Sequence, residues 1–404
     1  SERVIKQFGS WALIIIPFVW VSAEWLRYEI TGQLWNALGY SQAFHPLFIQ
    51  AARWGGVYAT SFMLALIASA LALVFVRRDR AAVGLSSAAV LGVILIVQMS
   101  VLLGHDLPAR GIQQVVSVQP NVPAEGAETP KQLLQRHLEL TERGLRESPN
   151  DLGEVLLVIW PESPMNFSYS KDRDLQQAVR NLTQKYSSRS LPVYVLLNSL
   201  EPAKGGGDQN SAILVNEKGE MSARYDKIRL MPFGEYVPLP HWLPGASSVR
   251  GIVGEFTPGS SYTLMPLGAL RAGVFICIEA AHPSIAQSFT NAGADVLINI
   301  SNDGYLGPTP VMRQHLANAV FRAVENNRDL VRVTNTGITA LIRSNGDIFD
   351  QTTGFHEDVR SWTIVATGGS TFYTRHGDVF VYGCGLISLG FISASFMKRR
   401  VSEA

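Results

Sequence analysis

The sequence predicts an α/β domain attached to a transmembrane α-helical bundle, and three observations carry that prediction. Val57 to Val76, Ala81 to Gly104 and Val379 to Met397 are runs of twenty, twenty-four and nineteen residues without a single charge. Between the second and third of them, short Val-, Ile- and Leu-rich stretches alternate with helical patterns. Basic residues gather at the ends of the uncharged runs: Arg77, Arg78 and Arg80, then Lys398, Arg399 and Arg400.

Each uncharged run is long enough to cross a hydrocarbon layer of about 30 Å as a helix. One such run fits a buried helix of a large soluble protein, but three of them do not, and a C-terminal one is no signal peptide. Trp11 to Ala23 reaches span length with its flanks if Glu24 meets an interface or a protein partner. Charged residues are only 17% of the 404-residue chain, against about 25% in an average soluble domain. The expected organisation is residues 1–104 as N-terminal transmembrane helices, with spans at about 10–26, 57–76 and 81–104. Residues 105–376 are then expected to form an exported domain, and 377–404 a last transmembrane helix with a basic cytoplasmic tail. Placing Arg3 and Lys6 with the two other basic clusters in the cytoplasm gives one consistent threading, against which Arg27 and Arg53 fall outside. The exported segment then has one cysteine, Cys277, and no internal disulfide; Cys384, inside the last span, reads as a small hydrophobe.

Within 105–376 the strand-like runs are Ile112–Val118, Val155–Trp160, Val193–Leu197, Ala212–Val215, Arg271–Ile278, Val296–Ile300, Leu330–Thr334 and Thr339–Ile342. They are short, apolar and barely alternating, as expected of strands covered on both faces. Helical patterns lie at Lys131–Glu147, Leu175–Tyr186, Pro283–Asn291 and Pro310–Asn326, the last two opened by proline. Met231 to Thr257, with four prolines and Trp242, and Asn302 to Pro310 read as long loops of the kind that form lids. No P-loop, dinucleotide fingerprint or zinc spacing occurs. The small juxtamembrane basic clusters argue against nucleic acid as a partner.

Chemistry-bearing residues sit at the ends of the apolar runs. Cys277 closes one, Glu162 closes Val155–Trp160 through Pro161, and Lys227 lies in Tyr225-Asp226-Lys227-Ile228. A thiol needs a base or a positive neighbour to become an effective nucleophile. A carboxylate in a dry pocket takes its proton, and an amine offers charge to a developing oxyanion. Together they suit thiolate-based acyl chemistry. Singly, each has a plain structural reading: a core cysteine, a turn-capping glutamate and a solvated lysine.

Trp160-Pro161-Glu162, Lys227 with Met231-Pro232-Phe233-Gly234-Glu235-Tyr236-Val237-Pro238, and Cys277-Ile278-Glu279 resemble the nitrilase (carbon–nitrogen hydrolase) superfamily. Ile300-Ser301-Asn302-Asp303-Gly304-Tyr305 and Arg332 to Ala340, with Trp25-Leu26-Arg27 and Gly39-Tyr40-Ser41-Gln42, are similar to its membrane-embedded apolipoprotein N-acyltransferase branch. The resemblance implies a nitrilase-like α-β-β-α sandwich standing on the helical bundle. It implies Cys277 as nucleophile, Glu162 as general base and acid, and Lys227 as oxyanion stabiliser. Glu235 is then a second glutamate orienting the lysine, and Glu279 a further glutamate beside the nucleophile on which the family depends.

The implied reaction is ping-pong, from a phospholipid acyl donor to Cys277 and on to the α-amine of a diacylglyceryl-modified apolipoprotein. No metal or diffusible cofactor is called for. The implied setting is a multi-pass protein of the bacterial inner membrane, acting as a monomer with its catalytic domain on the periplasmic side. Ile278 and Tyr305 stand where the family commonly has aromatic residues and tryptophan; with Tyr236 and Trp242 they are expected to shape the acyl pocket and lid, whose Leu243 and Ile252 suit a membrane interface. The chain begins at Ser1, and its four candidate spans are about half the number the resemblance implies, so either spans precede it or it is a shortened relative. The residues alone also leave open a membrane-tethered amidase with the same triad, and a non-catalytic scaffold.

Overall fold

The computed structural model describes residues 5, 8–103, 109–123, 129–148, 153–162, 167–188, 191–238 and 256–403, with the backbone alone at 306 and 396–403. Arg3, Lys6, Trp242, Leu243 and Ile252 lie outside the described residues. The chain divides into two compact units: 1–106 with 324–327 and 370–404, and 107–323 with 328–369.

The first unit is helical. Gly9–Thr31, Ala52–Arg77 and Arg80–Leu103 are long and apolar enough to cross a membrane, and Val379–Ser395 is a shorter apolar stretch of the Val379–Glu403 helix. The first helix runs further than expected, to Thr31, where Gly32 ends it. Glu24 has the protein partner the sequence asked for: its carboxylate accepts from the Leu38 N–H at 2.6 Å and from Trp20 Nε1 at 3.1 Å. The Ala52–Arg77 helix breaks at Gly55 and Gly56, where Gly56 has φ +62°, a conformation glycine adopts without strain. Helix resumes at Val57, whose N–H donates to Glu325 Oε1 at 2.9 Å, supplying the cap that a helix start needs. Cys384 is buried among these helices.

The second unit contains two six-stranded sheets. One has the order β12-β1-β2-β3-β4-β5 and is built from β1 (Ala109–Gln119), β2 (Leu156–Ile159), β3 (Val193–Pro202), β4 (Asp208–Val215), β5 (Met221–Asp226) and β12 (Asp358–Thr367). The other has the order β11-β10-β9-β8-β7-β6, from β6 (Leu264–Leu267), β7 (Leu270–Ile276), β8 (Val296–Ser301), β9 (Leu330–Thr334), β10 (Ala340–Ile342) and β11 (Ile348–Phe349). In each sheet three central strands are parallel, β1-β2-β3 and β7-β8-β9. Every residue of β2, β8 and β9 is buried, which is why Val, Ile and Leu dominate these strands with little alternation.

The Pro130–Glu147 and Arg173–Tyr186 helices cover the first sheet. Leu133, His137, Leu140, Thr141 and Gly144 of one, and Leu175, Val179, Leu182 and Thr183 of the other, recur at three- and four-residue spacing and face the core. Thr129 and Gln132 form a capping box on the first helix, and Asp172 caps the second, each contact contributing about 1 kcal/mol. Pro283–Asn291 packs on β7, and Val311–Asn326 is buried from His315 onward.

Four strands escape the sequence pattern. β5 carries Ser222, Arg224 and Asp226, β6 contains Pro266, β11 is two residues long, and β12 alternates polar and apolar along an edge. The strand expected over Arg271–Ile278 stops at Ile276, because Cys277 takes φ +54° and opens a short 3-10 turn, Cys277–Ala281.

Candidate active site

Three strands deliver their C-terminal ends to one place. β2 leads through Trp160 and Pro161 to Glu162, β5 ends next to Lys227, and β7 ends next to Cys277. Trp160 is pinned by its Nε1, which donates to Thr141 Oγ1 at 2.9 Å, so the approach to Glu162 is anchored in the core. Lys227 is held by its backbone: its N–H donates to the Asn210 carbonyl, and its carbonyl accepts from the Gly259 N–H, both at 2.8 Å. A Cβ on Gly259 would lie 2.1 Å from the Asp226 carbonyl oxygen, so only glycine lets the chain return so close.

The Lys227 ammonium is 1% exposed and has two carboxylate partners, Glu162 Oε1 at 3.3 Å and Glu235 at 2.9 Å. Asn210 Nδ2 donates to both, at 3.0 Å to Glu162 and 2.6 Å to Glu235. The second oxygen of each acid is also used: Asn302 N–H donates to Glu162 at 3.0 Å, and Met231 N–H to Glu235 at 2.7 Å. Glu235 rides on a tight turn in which Phe233 takes φ +59° and donates its N–H to the Tyr236 carbonyl. Burial by itself would lower the lysine pKa. The charges of Glu162 and Glu235, with that of a Cys277 thiolate, outweigh it and hold the ammonium well above the ordinary range.

Cys277 is 3% exposed, and its Sγ lies 3.3 Å from Tyr305 Oη. Burial pushes the thiol up to about 12, the Glu162 charge adds to the rise, and Lys227 opposes it. The left-handed turn at Cys277 is braced from behind. The His315 ring joins the Cys277 carbonyl (Nε2, 3.1 Å) to the Asp303 carboxylate (Nδ1, 2.9 Å). Asp303 is bound in turn by Arg332 at 2.9 Å and by Ser301 Oγ at 3.0 Å. Burial would raise the Asp303 pKa, yet Arg332 and His315 hold the carboxyl well below the usual carboxylate range.

Glu279 follows the thiol by two residues in sequence but is turned into the core, fully buried. Its Oε1 accepts from Tyr225 Oη (2.7 Å), Ile228 N–H (2.8 Å) and Arg229 N–H (3.0 Å), and its Oε2 from Ile276 N–H (2.8 Å). It ties the cysteine turn to the segment that carries Lys227. Burial pushes its carboxyl up, and the Ile276, Arg229 and Tyr225 donors, with the Lys227 charge, oppose that shift. Ile278 is buried, Tyr236 is half-buried, and Trp242 lies outside the described residues.

Glu162, Lys227 and Glu235 are therefore joined directly, with Cys277 within electrostatic reach and Tyr305 against its sulfur. Sequence reasoning missed Asn210, His315 and the Asp303–Arg332 pair as parts of this site. Arg332 offered a signal, as a cation inside the apolar Leu330–Thr334 strand; Asn210 offered none. Among the described residues no group of three or more His, Cys, Asp or Glu is placed to hold a metal ion.

Residues 114–373 match the family model described as carbon-nitrogen hydrolase, and residues 2–70 match that of the apolipoprotein N-acyltransferase N-terminal domain. An apolipoprotein N-acyltransferase of Geobacter metallireducens is 33% identical over 94% of this chain and 73% of its own length. Namesakes from Allorhizobium ampelinum and Shewanella oneidensis are 32% and 29% identical, over 86% and 94% of this chain and 66% and 73% of theirs.

Proposed function

The chain belongs to the carbon–nitrogen hydrolase family, in its apolipoprotein N-acyltransferase branch, and we propose that it moves an acyl chain from a phospholipid through Cys277 to a lipoprotein amine. The observation that carries the reading is the buried Lys227 ammonium bonded to both Glu162 and Glu235 beside a thiol at the left-handed end of β7.

In the first half-reaction Glu162 takes the proton of the neutral thiol as sulfur attacks the donor ester carbonyl. A thiol pushed up to about 12 stays protonated at rest, so a base must act during the attack. The Lys227 ammonium, permanently charged and dry, offsets the charge growing on the carbonyl oxygen. Collapse breaks the ester C–O bond, and Glu162 returns its proton to the leaving lysophospholipid oxygen. In the second half-reaction the α-amine of the diacylglyceryl-cysteine attacks the thioester carbon. The C–S bond breaks, the sulfur keeps the electron pair, and the amine proton passes through Glu162 to sulfur. Glu235 and Asn210 keep Lys227 and Glu162 in register, and Glu279 positions the cysteine turn.

The setting proposed is the bacterial cytoplasmic membrane, with a monomer threaded so that residues 105–376 are extracytoplasmic. Three span-length apolar helices and the basic turn of Arg77, Arg78 and Arg80 support it. Both lipid substrates then present their headgroups on the side where Cys277 stands.

The test is to incubate the folded protein with acyl-labelled phospholipid and look for a hydroxylamine-labile label that Cys277→Ala abolishes. No thioester on the folded wild-type chain overturns the proposal. If the thioester forms, its discharge by a lipopeptide amine identifies a transferase, and its discharge by water alone an amidase.

A further inference from the structure

We infer that the Tyr305 hydroxyl is a hydrogen-bond donor dedicated to the Cys277 sulfur, and that it acts chiefly in the second half-reaction, where that sulfur is the leaving group. The inference rests on Cys277 being the acyl carrier.

Tyr305 Oη lies 3.3 Å from Sγ, the one hydrogen-bond contact of that sulfur among the described residues. The phenol is presented by a defined piece of backbone. Tyr305 sits in the Gly304–Leu306 turn, whose first N–H donates to Asn302 Oδ1 at 3.1 Å, while Asp303 is locked by Arg332 and His315. Tyr305 as a residue is 56% exposed, although Cys277 beneath it is 3% exposed. The hydroxyl thus reaches inward to a buried sulfur from a residue that is largely exposed.

While sulfur carries its proton, either group can donate. Once sulfur is a thiolate it can only accept, so the phenol donates. Stabilising the thiolate affects the two half-reactions unequally. Nucleophilicity falls only fractionally as a thiolate is stabilised, with a Brønsted slope of about 0.4–0.5, whereas a better-stabilised thiolate leaves faster. In the first half-reaction the donor therefore gives a small net effect. In the second, the amine nitrogen bonds to the acyl carbon, the C–S bond breaks, and its electron pair arrives on sulfur facing the Tyr305 O–H. The phenol keeps its proton throughout; the proton that finally restores the thiol comes from the amine by way of Glu162. The two roles of sulfur are thus divided between two partners, a base for attack and a donor for departure.

The experiment uses the full chain in detergent or lipid, comparing Tyr305→Phe with Tyr305→Ala. Thioester loading from labelled phospholipid is followed first, and discharge of the preformed thioester to a lipopeptide amine second. For Tyr305→Phe we expect loading within about twofold of wild type, discharge slowed about tenfold, as for loss of one hydrogen bond to a charged atom, and thioester accumulating at steady state. The pH midpoint of Cys277 alkylation by iodoacetamide should also rise in this variant. Equal slowing of both halves, or a Phe variant like wild type in both while Ala alone is altered, overturns the inference and leaves Tyr305 a steric lid. A wild-type chain that forms no thioester overturns the acyl-carrier reading instead; the alkylation midpoints of wild type and Tyr305→Phe then still report whether the phenol bonds the sulfur, and equal midpoints overturn that bond.

Discussion

Asn198 donates its side-chain amide to the side-chain oxygen of Asn210 at 2.7 Å, and this contact decides which way Asn210 faces. Asn198 Nδ2 also donates to the Ser211 carbonyl at 3.0 Å, which fixes its own orientation. Asn210 must then present oxygen to Asn198 and nitrogen to the two acids, Glu162 and Glu235. One amide on β4 so helps to keep two carboxylates at a single ammonium.

Replacing Asn210 by Leu removes the shared donor and leaves the acids to repel each other across Lys227. Thioester loading should fall about 10–100-fold, the effect of one or two charge-assisted hydrogen bonds. Asn210→Asp should fall further, because it adds a third negative charge. Asn198→Ala, which only frees Asn210 to rotate, should cost less than either. Single-turnover loading rates give the order, and thermal unfolding of each variant shows that the fold survives; a harmless Asn210→Leu would end the argument.

Glu162→Gln should change two properties of Cys277 in opposite directions. Burial is the main reason the thiol stands near 12, and the Glu162 charge pushes it the same way, against Lys227. Neutralising Glu162 lowers the thiol pKa, so alkylation by iodoacetamide at pH 8 becomes faster. The same substitution removes the proton acceptor, so acyl loading drops by about 10²–10⁴-fold. Lys227→Met moves the alkylation midpoint the other way, upward. Alkylation that slows in Glu162→Gln would falsify the assignment of Glu162 as the thiol's charged neighbour.

Glu279 tests whether a buried acid beside a nucleophile in sequence is structural or chemical. Glutamine offers one acceptor oxygen where the carboxylate offers two, and turns an N–H₂ toward backbone donors. Glu279→Gln should lose about 2–4 kcal/mol of stability, as expected for buried donors left without an acceptor. The thermal midpoint should drop, and Cys277 should become more accessible to bulky maleimides as its turn loosens. A variant with an unchanged midpoint and no acyl transfer would show that Glu279 does chemistry.

The long apolar helices, the strand-helix alternation and the strand ends at Glu162 and Cys277 were legible because each rests on a local run: twenty apolar residues, a five-residue Val/Ile stretch, a chemistry-bearing residue where the stretch stops. Glu279 shows where local reading fails. Its neighbourhood with Cys277 in the sequence suggested proximity to the thiol, but φ +54° at Cys277 starts a turn that sends the Glu279 side chain into the core. The Asn198–Asn210 relay and the Asp303–His315–Arg332 brace join residues on different elements, and no periodicity marks such pairings. β5, β6 and β12 were missed for a third reason: edge strands are half-solvated, so they carry arginine, serine or proline and show no continuous apolar run. Conversely, β2, β8 and β9 were read correctly because both faces are covered.

Acid should destabilise the sheet-bearing unit well before its carboxylates titrate, because two buried imidazoles resist protonation. Burial holds His137 down to about 4, against the pull of the Leu133 carbonyl that its Nδ1 meets at 2.7 Å. His282 is held to about 3, by burial first and then by Arg229, Arg322 and Lys227. In the unfolded chain both take a proton near pH 6.5. Above pH 7 neither state is protonated, and the two residues give stability no slope. As the pH falls from about 6.5 toward 4, only the unfolded chain gains protons, so the folded state loses stability, on the order of 3 kcal/mol from His137 alone. Asp303, held low by Arg332 and His315, acts in a separate window: its contribution is lost only below the ordinary carboxylate range. The thermal midpoint should therefore decline between pH 7 and 4.5, and His137→Leu should flatten that decline even if its midpoint at pH 7 is lower. The tilted contact of His137 with Trp160, with ring centroids 5.0 Å apart, is what leucine gives up at neutral pH, and leucine has no proton to titrate. A His137→Leu profile as steep as wild type would mean that the buried imidazole is not what senses the acid.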